Sequence, residues 1–152
     1  MKHFSQEKQI SGYKIIKKLG EGQYGKVYLA KNEGQLIAIK VIDKKRMKEF
    51  PETIQREARI LTLIKHPNII KLYNVIENSD QLYLLMEYAD GGDLSKFIRS
   101  KPHKRIEEIE AKEIFGQIAI ALQFCHNHFI THRDLKPENV TPIQKTSISS
   151  FS

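Results

Sequence analysis

Thr131-His132-Arg133-Asp134-Leu135-Lys136-Pro137-Glu138-Asn139 is the stretch on which the reading of this chain turns. It fits H-R-D-L-x-x-x-N, with a lysine two residues after the aspartate. As chemistry alone it puts one carboxylate, one ammonium and one carboxamide on a short loop, a set suited to phosphoryl transfer. Asp134 would orient a hydroxyl and accept its proton. Lys136 would stabilise charge near a γ-phosphate, and Asn139 would offer an oxygen to Mg²⁺. An ordinary polar turn has no reason to match this pattern and to follow other motifs in a consistent order.

Moving toward the N-terminus, Ile106 to about Asn127 reads as an amphipathic helix carrying Ile109, Ile114, Ile118 and Leu122. Before it, Asp90-Gly91-Gly92-Asp93 is a turn, with Asp93 as N-cap of a short helix to Arg99. Ile69–Glu77 and Gln81–Met86 read as strands joined at Asn78-Ser79-Asp80. Residues 52–64 have helical period, since Ile54, Ala58, Leu61 and Ile64 share one face. His66-Pro67-Asn68 ends that helix, because a residue before proline is biased away from helix. Lys26–Lys31 and Leu36–Ile42 are strands about the turn Asn32-Glu33-Gly34-Gln35, and Tyr13–Leu19 is extended. Residues 1–12 are polar and are expected to be flexible, and 141–152, rich in Ser and Thr, are expected to form a divergent, disordered tail.

Gly20-Glu21-Gly22-Gln23-Tyr24-Gly25 matches G-x-G-x-x-G, a weak signal by itself. A dinucleotide fold would want a helix directly after the glycines, and the alternation at 26–31 argues for a strand. A Walker-type loop needs Ser or Thr after Lys26, where this chain has Val27. What remains is a β-hairpin whose glycines let the backbone close over a triphosphate, or a plain glycine-rich hairpin. Ala38-Ile39-Lys40 bears on the choice. A lysine set among apolar strand residues requires a partner charge, and Glu57 on the 52–64 helix is the candidate. A Lys40–Glu57 pair would hold the ammonium toward the α- and β-phosphates of a nucleotide.

The chain has 152 residues, with 25 Lys+Arg against 18 Asp+Glu for a net charge of +7. Hydrophobic residues at 40% and charged residues at 28% exclude a low-complexity or disordered chain. One cysteine, Cys125, excludes an internal disulfide framework and a Cys-based zinc site, and fits a reducing compartment. The N-terminus lacks the apolar run of a signal peptide. Ile114–His132 is free of Asp, Glu, Lys and Arg, but Gln117, Gln123, His126, Asn127 and His128 interrupt it. A spanning helix needs about 20 predominantly apolar residues, so no membrane segment is expected. The basic residues fall in three short clusters with acidic residues interspersed and no stacking aromatics. No nucleic acid partner is expected.

With these motifs in this order, the sequence resembles the eukaryotic protein kinase family. His132-Arg133-Asp134-Leu135-Lys136-Pro137-Glu138-Asn139 has the wording of the serine/threonine branch, and the flavour is that of the calmodulin-dependent and AMP-activated kinase group. His66-Pro67-Asn68-Ile69-Ile70 and Leu85-Met86-Glu87-Tyr88-Ala89-Asp90-Gly91-Gly92-Asp93-Leu94 look like the family's αC–β4 and hinge segments. The resemblance implies an α+β fold. Residues 13–89 would be the N-lobe and hinge, an antiparallel five-stranded sheet plus the αC helix. Residues 90–140 would be the first helices of the C-lobe with the catalytic loop.

The resemblance also implies roles. Leu19, Gly20, Glu21, Gly22 and Gly25 would lie over a bound ATP, with Val27 and Ala38 against adenine. Met86 would be the gatekeeper, Glu87 and Ala89 hinge partners of the adenine edge, and Asp93 a neighbour of the ribose. Lys40, with Glu57, would hold phosphates, and Asp134, Lys136 and Asn139 would be catalytic, Asn139 also binding Mg²⁺. Leu61, Leu72 and His132 would be stacked residues that link the lobes. The partners implied are ATP and a protein bearing Ser or Thr, in the cytoplasm with the nucleus left open.

The family's Asp-Phe-Gly, whose Asp carries Mg²⁺, has no counterpart here. Phe151 follows Ser150, and a hydroxyl does not replace a carboxylate as a ligand for this ion. Two accounts therefore stand. One is the N-terminal part of a serine/threonine kinase, truncated after its catalytic loop. The other is a non-catalytic module that binds nucleotide or a partner. The apolar face of the 106–127 helix is expected to be exposed, forfeiting about 1.5–3 kcal/mol per large side chain and inviting a protein partner.

Overall fold

Leu36–Ile42, the most apolar and β-branched run of the chain, lies in the middle of a sheet. The computed structural model describes residues 9–22, 25–45, 60 and 62–142. Strands β1 (Gln9–Ile10), β2 (Tyr13–Gly22), β3 (Gly25–Asn32), β4 (Gln35–Asp43), β5 (Leu72–Glu77) and β6 (Gln81–Glu87) form one antiparallel sheet, in the order β1-β2-β3-β4-β6-β5. The five expected strands are present, and a sixth, β1, joins them. Its two residues fall where the sequence reads as frayed, yet Ile10 is buried with Ala30, Ile37, Ile39 and Leu85. Ser11 and Gly12 both take positive φ, 50° and 83°, as a two-residue hairpin turn requires. So short a strand has no periodicity to read. The β3–β4 turn is built the same way on Glu33 and Gly34.

The chain divides into two compact units, Met1–Lys65 with Ile70–Tyr88 and His66–Ile69 with Ala89–Ser152. In the first, alternation decides which side chains share a face. Ile37, Ile39 and Val41 of β4 stand opposite Glu87, Leu85 and Tyr83 of β6, and join Tyr28 and Ala30 on one side. Ala38, Lys40 and Ile42 stand opposite Met86, Leu84 and Leu82 and take the other side. Both sides are apolar: Ile39, Ile42 and Leu84 are fully buried, as expected for a central strand packed on two faces. The sequence reads 13–19 as simply extended, but β2 carries two bulges, at Ile16 and Leu19, where the pairing with β3 shifts. β5 begins at Leu72, three residues later than expected, after a turn at 67–68. Of the expected 52–64 helix only its end is described, where the Ile64 N–H donates to the Ile60 carbonyl at 3.1 Å. Ile54, Glu57, Ala58 and Leu61 lie outside the described residues.

In the second unit α1 (Leu94–Ser100) and α2 (Glu108–Asn127) sit at the expected places. Lys101 connects them, its ammonium 4.5 Å from the Phe97 ring centre and 3.1 Å from Glu110. Ile114, Ile118, Leu122 and Cys125 turn to the more buried side of α2, but Ile109 does not. At 3.6 residues per turn it lies about 180° round the helix from Ile118, and it is 75% exposed. The expected four-residue apolar face is thus three residues, with Ile109, Phe115 and Ile120 exposed elsewhere on the helix.

Because Ile39 is fully buried and Leu36 is 42% exposed on the same strand, their truncation separates core from surface. Ile39→Ala is expected to lower unfolding stability by about 2–5 kcal/mol, and Leu36→Ala by less than about 1 kcal/mol. Denaturant unfolding followed by circular dichroism reads the difference.

Candidate functional site

The first unit gathers five of the residues expected around a nucleotide on one face of its sheet. Gly20 stands opposite Val27, Val27 opposite Lys40, Leu29 opposite Ala38, and Ala38 opposite Met86. Residues directly opposite across antiparallel strands share a face. Gly20, Val27, Ala38, Lys40 and Met86 therefore lie on one side, drawn from four strands. Ala38 is buried, whereas Val27, Lys40 and Met86 are half-buried. Leu72 packs on this side with Ile42, Leu82 and Leu84. Glu57, the expected partner of Lys40, lies outside the described residues, as do Gln23 and Tyr24 at the hairpin tip. Leu19 sits at the bulge and is 38% exposed. Glu21 opposes Lys26 and forms an ion pair with Lys18.

The three glycines differ in what holds them glycine. A Cβ built on Gly25 would come within 2.2 Å of the Val41 carbonyl oxygen, so the close approach of β3 to β4 there excludes a side chain. A Cβ on Gly20 or Gly22 meets nothing within 4 Å. Folding alone makes no demand for glycine at those two positions, which leaves room for a ligand to make it.

At the end of β6 the Glu87 N–H donates to the Lys71 carbonyl at 2.8 Å, and its carboxylate accepts from the Lys71 N–H at 3.2 Å. Ala89 is half-buried and belongs to the second unit. Asp93 caps α1: one carboxylate oxygen accepts from the Lys96 N–H at 2.8 Å and the other pairs with the Lys96 ammonium at 2.7 Å. The Lys96 hydrogen bond holds the Asp93 carboxyl below the usual carboxylate range. Its first duty is thus to its own helix.

The loop from Thr131 to Asn139 is exposed throughout and built around one carboxylate. Lys136 Nζ lies 2.9 Å from Asp134 Oδ2. Asn139 Nδ2 donates to the same oxygen at 2.9 Å and to the Asp134 carbonyl at 2.8 Å. A single 3₁₀ turn, Pro137–Asn139, sets that spacing, its last N–H bonded to the Lys136 carbonyl at 2.9 Å. With its nitrogen on Asp134, the Asn139 amide turns its oxygen away from that carboxylate. Hydrogen bonds from Lys136 and then Asn139 hold the Asp134 carboxyl below the usual range, and Asp134 raises the Lys136 ammonium. Such a carboxylate is ionised at neutral pH and a weak base, fitted to align a hydroxyl before accepting its proton.

Two supports of this loop had no signal in the sequence reading. Arg133 takes a left-handed φ of 64°, a conformation that costs a non-glycine residue on the order of 1 kcal/mol or more. The Val140 carbonyl accepts the Leu94 N–H at 2.8 Å, fastening the end of the loop to the start of α1. For Mg²⁺ the fit is partial. Asn139 offers one oxygen, and among the described residues no group of three His, Cys, Asp or Glu is placed to hold a metal. His132 is exposed in this loop, and Leu61 lies outside the described residues.

A carboxylate, an ammonium and an amide fixed on one another in this order answer to a known family. The family model for the protein kinase domain matches residues 13–148. The chain belongs to the protein kinase family. It is 43% identical over 138 residues to sucrose non-fermenting protein kinase 1 of Fusarium virguliforme, covering 88% of this chain and 19% of that protein. To the probable serine/threonine-protein kinase MARK-A of Dictyostelium discoideum it is 44% identical over 144 residues, 91% of this chain and 13% of the relative. To the carbon catabolite-derepressing protein kinase of Saccharomyces cerevisiae it is 44% identical over 135 residues, 86% of this chain and 21% of the relative. The chain thus spans about a fifth or less of the length of these curated kinases. No helix among the described residues is long and apolar enough to cross a membrane.

Two outcomes follow. Gly25→Ala is expected to cost about 1–3 kcal/mol of unfolding stability through its clash with strand backbone, while Gly20→Ala and Gly22→Ala stay within about 0.5 kcal/mol. Thermal melts of the three variants compare them. Lys136→Met is expected to raise the Asp134 titration toward the ordinary carboxylate range. In the wild type the pair is intact at neutral pH and is lost as pH falls through the depressed Asp134 value. Carboxyl-carbon NMR across an acid titration distinguishes the two curves.

Proposed function

We propose that this chain carries the nucleotide-binding and catalytic-loop portions of a serine/threonine protein kinase, which binds ATP and directs its γ-phosphate to a protein Ser or Thr hydroxyl. One observation carries the reading: a single sheet face brings together Gly20, Val27, Ala38, Lys40 and Met86. An apolar surface with one ammonium in it suits an adenine and its phosphates. Val27, Ala38 and Met86 would pack on the base. With the Glu87 N–H already bonded to Lys71, its carbonyl would be the acceptor for the adenine edge and the Ala89 N–H the donor. Lys40, paired with Glu57, would hold the α- and β-phosphates, beneath a backbone that Gly20 and Gly22 leave uncovered by side chains. Asp93 would approach the ribose from its cap.

On the catalytic loop Asp134 would align the substrate hydroxyl and take its proton as the oxygen attacks. Lys136, already beside that carboxylate, would bear on the charge of the transferring group. Asn139 would keep Asp134 in place through its nitrogen and present its oxygen to Mg²⁺, which in this family offsets phosphate charge. The exposed Ile109, Phe115 and Ile120 of α2 are the groups a protein partner would cover. The lone cysteine suits a reducing, cytoplasmic setting. The non-catalytic reading is not favoured by relatives that are themselves named protein kinases, one of them a probable serine/threonine-protein kinase.

Calorimetric titration with ATP tests the nucleotide half. Lys40→Met is expected to weaken binding about ten- to a hundredfold, the loss of one or two charge-assisted contacts. Equal affinity of variant and wild type would remove Lys40 from the site. Phosphotransfer to a Ser/Thr protein, with Asp134→Ala as control, tests the catalytic half. Equal signal from the two would end the catalytic assignment.

A further inference from the structure

Residues His66–Ile69 belong by their contacts to the second unit, although the residues on both sides of them in sequence belong to the first. Three interactions hold this short segment in that unit. The Asn68 N–H donates to His66 Nδ1 at 3.1 Å. Asn68 Nδ2 donates to the Gln117 carbonyl of α2 at 3.2 Å. The His66 ring lies against Phe124 of α2, centroids 4.8 Å apart. Phe124 also meets a second imidazole, His128, with centroids 4.3 Å apart, whose Nδ1 is 2.8 Å from the Phe124 carbonyl.

The two imidazoles face opposite chemical demands. A backbone N–H only donates, so His66 Nδ1 must be an acceptor, and the ring must be neutral with its proton on Nε2. A carbonyl only accepts, so His128 Nδ1 must carry a proton, in either charge state of the ring. His128 also follows the last residue of α2, where positive charge is favoured by the helix dipole. Protonation therefore leaves the His128 bond intact and abolishes the His66 bond, setting two N–H groups against each other. Among the described residues, the charged groups on this side of α2 are Glu113, one turn before Gln117, and Glu110, already paired with Lys101. Lys65 precedes the ring in its own segment.

We propose that Phe124 with His66 and His128 forms an acid-sensitive latch, in which the two rings hold opposite tautomers and protonation of His66 alone releases His66–Ile69 from α2. This inference uses no part of the nucleotide site and stands or falls independently of the kinase reading.

Long-range proton–nitrogen NMR spectra of the whole chain at about pH 7.5, above the ordinary imidazole range, test the tautomers directly. His66 is expected to show a bare Nδ1 and a protonated Nε2, and His128 a protonated Nδ1. A proton on His66 Nδ1 at that pH overturns the proposal. On acidification to about pH 5.5, the Asn68 amide resonance is expected to move with the same midpoint as the His66 ring, and its hydrogen-exchange protection to fall about tenfold. An Asn68 amide that stays still while His66 titrates also overturns it. In His66→Gln, which supplies a neutral acceptor, the Asn68 shift is expected to lose its pH dependence while His128 continues to titrate. Persistence of the shift in that variant would assign it to another group.

Discussion

Ala38 faces Leu29 on one neighbouring strand and Met86 on the other, and Lys40 two residues on faces Val27 and Leu84. That register is the constraint from which the rest of the first unit follows. Slipping β4 by one residue against either neighbour would send Lys40 to the side occupied by Ile37, Ile39 and Val41. It would also drive an ammonium among Tyr28, Leu85 and Tyr83. Burial of Ile39 on one side and Ile42 on the other opposes the slip from both faces. The position of the lysine is therefore set by its buried neighbours along the strand.

The loop from Thr131 to Asn139 obeys a different logic, because nothing buries it. Its order comes from hydrogen bonds around Asp134, from the 3₁₀ turn that brings Asn139 back, and from the bond between Leu94 and Val140. Exposed ion pairs contribute little to stability. The pairing of Lys136 with Asp134 thus matters for where two charges stand more than for holding the fold together. A left-handed Arg133 within such a loop is a conformational cost set at the place where geometry counts.

The sequence was legible where a pattern repeats or a turn has its own chemistry. Strands β3 and β4 were read to within one residue at each end, because alternation and Glu33-Gly34 leave little choice. The same holds for Asp93 as a cap, given by residue type and spacing. β1 escaped because two residues carry no period, and the bulges in β2 because one extra residue looks like continued strand. Ile109 was assigned to the wrong side of α2, since a five-residue step from Ile109 to Ile114 breaks helical spacing. The His66–Phe124–His128 stack joins residues far apart in sequence, and no local signal announces it.

The bulges in β2 have one more consequence. β1 pairs only with Tyr13 and Lys14, so most of the ten residues of β2 form an open margin of the sheet among the described residues. An uninterrupted apolar strand in that position is a template on which another chain can add. Here Ile16 and Leu19 interrupt the ladder, and Lys17 and Lys18 stand along it. The irregular hydrogen bonding and repeated positive charge make this margin a poor seed for aggregation, a protection that a straight, regular strand would lack.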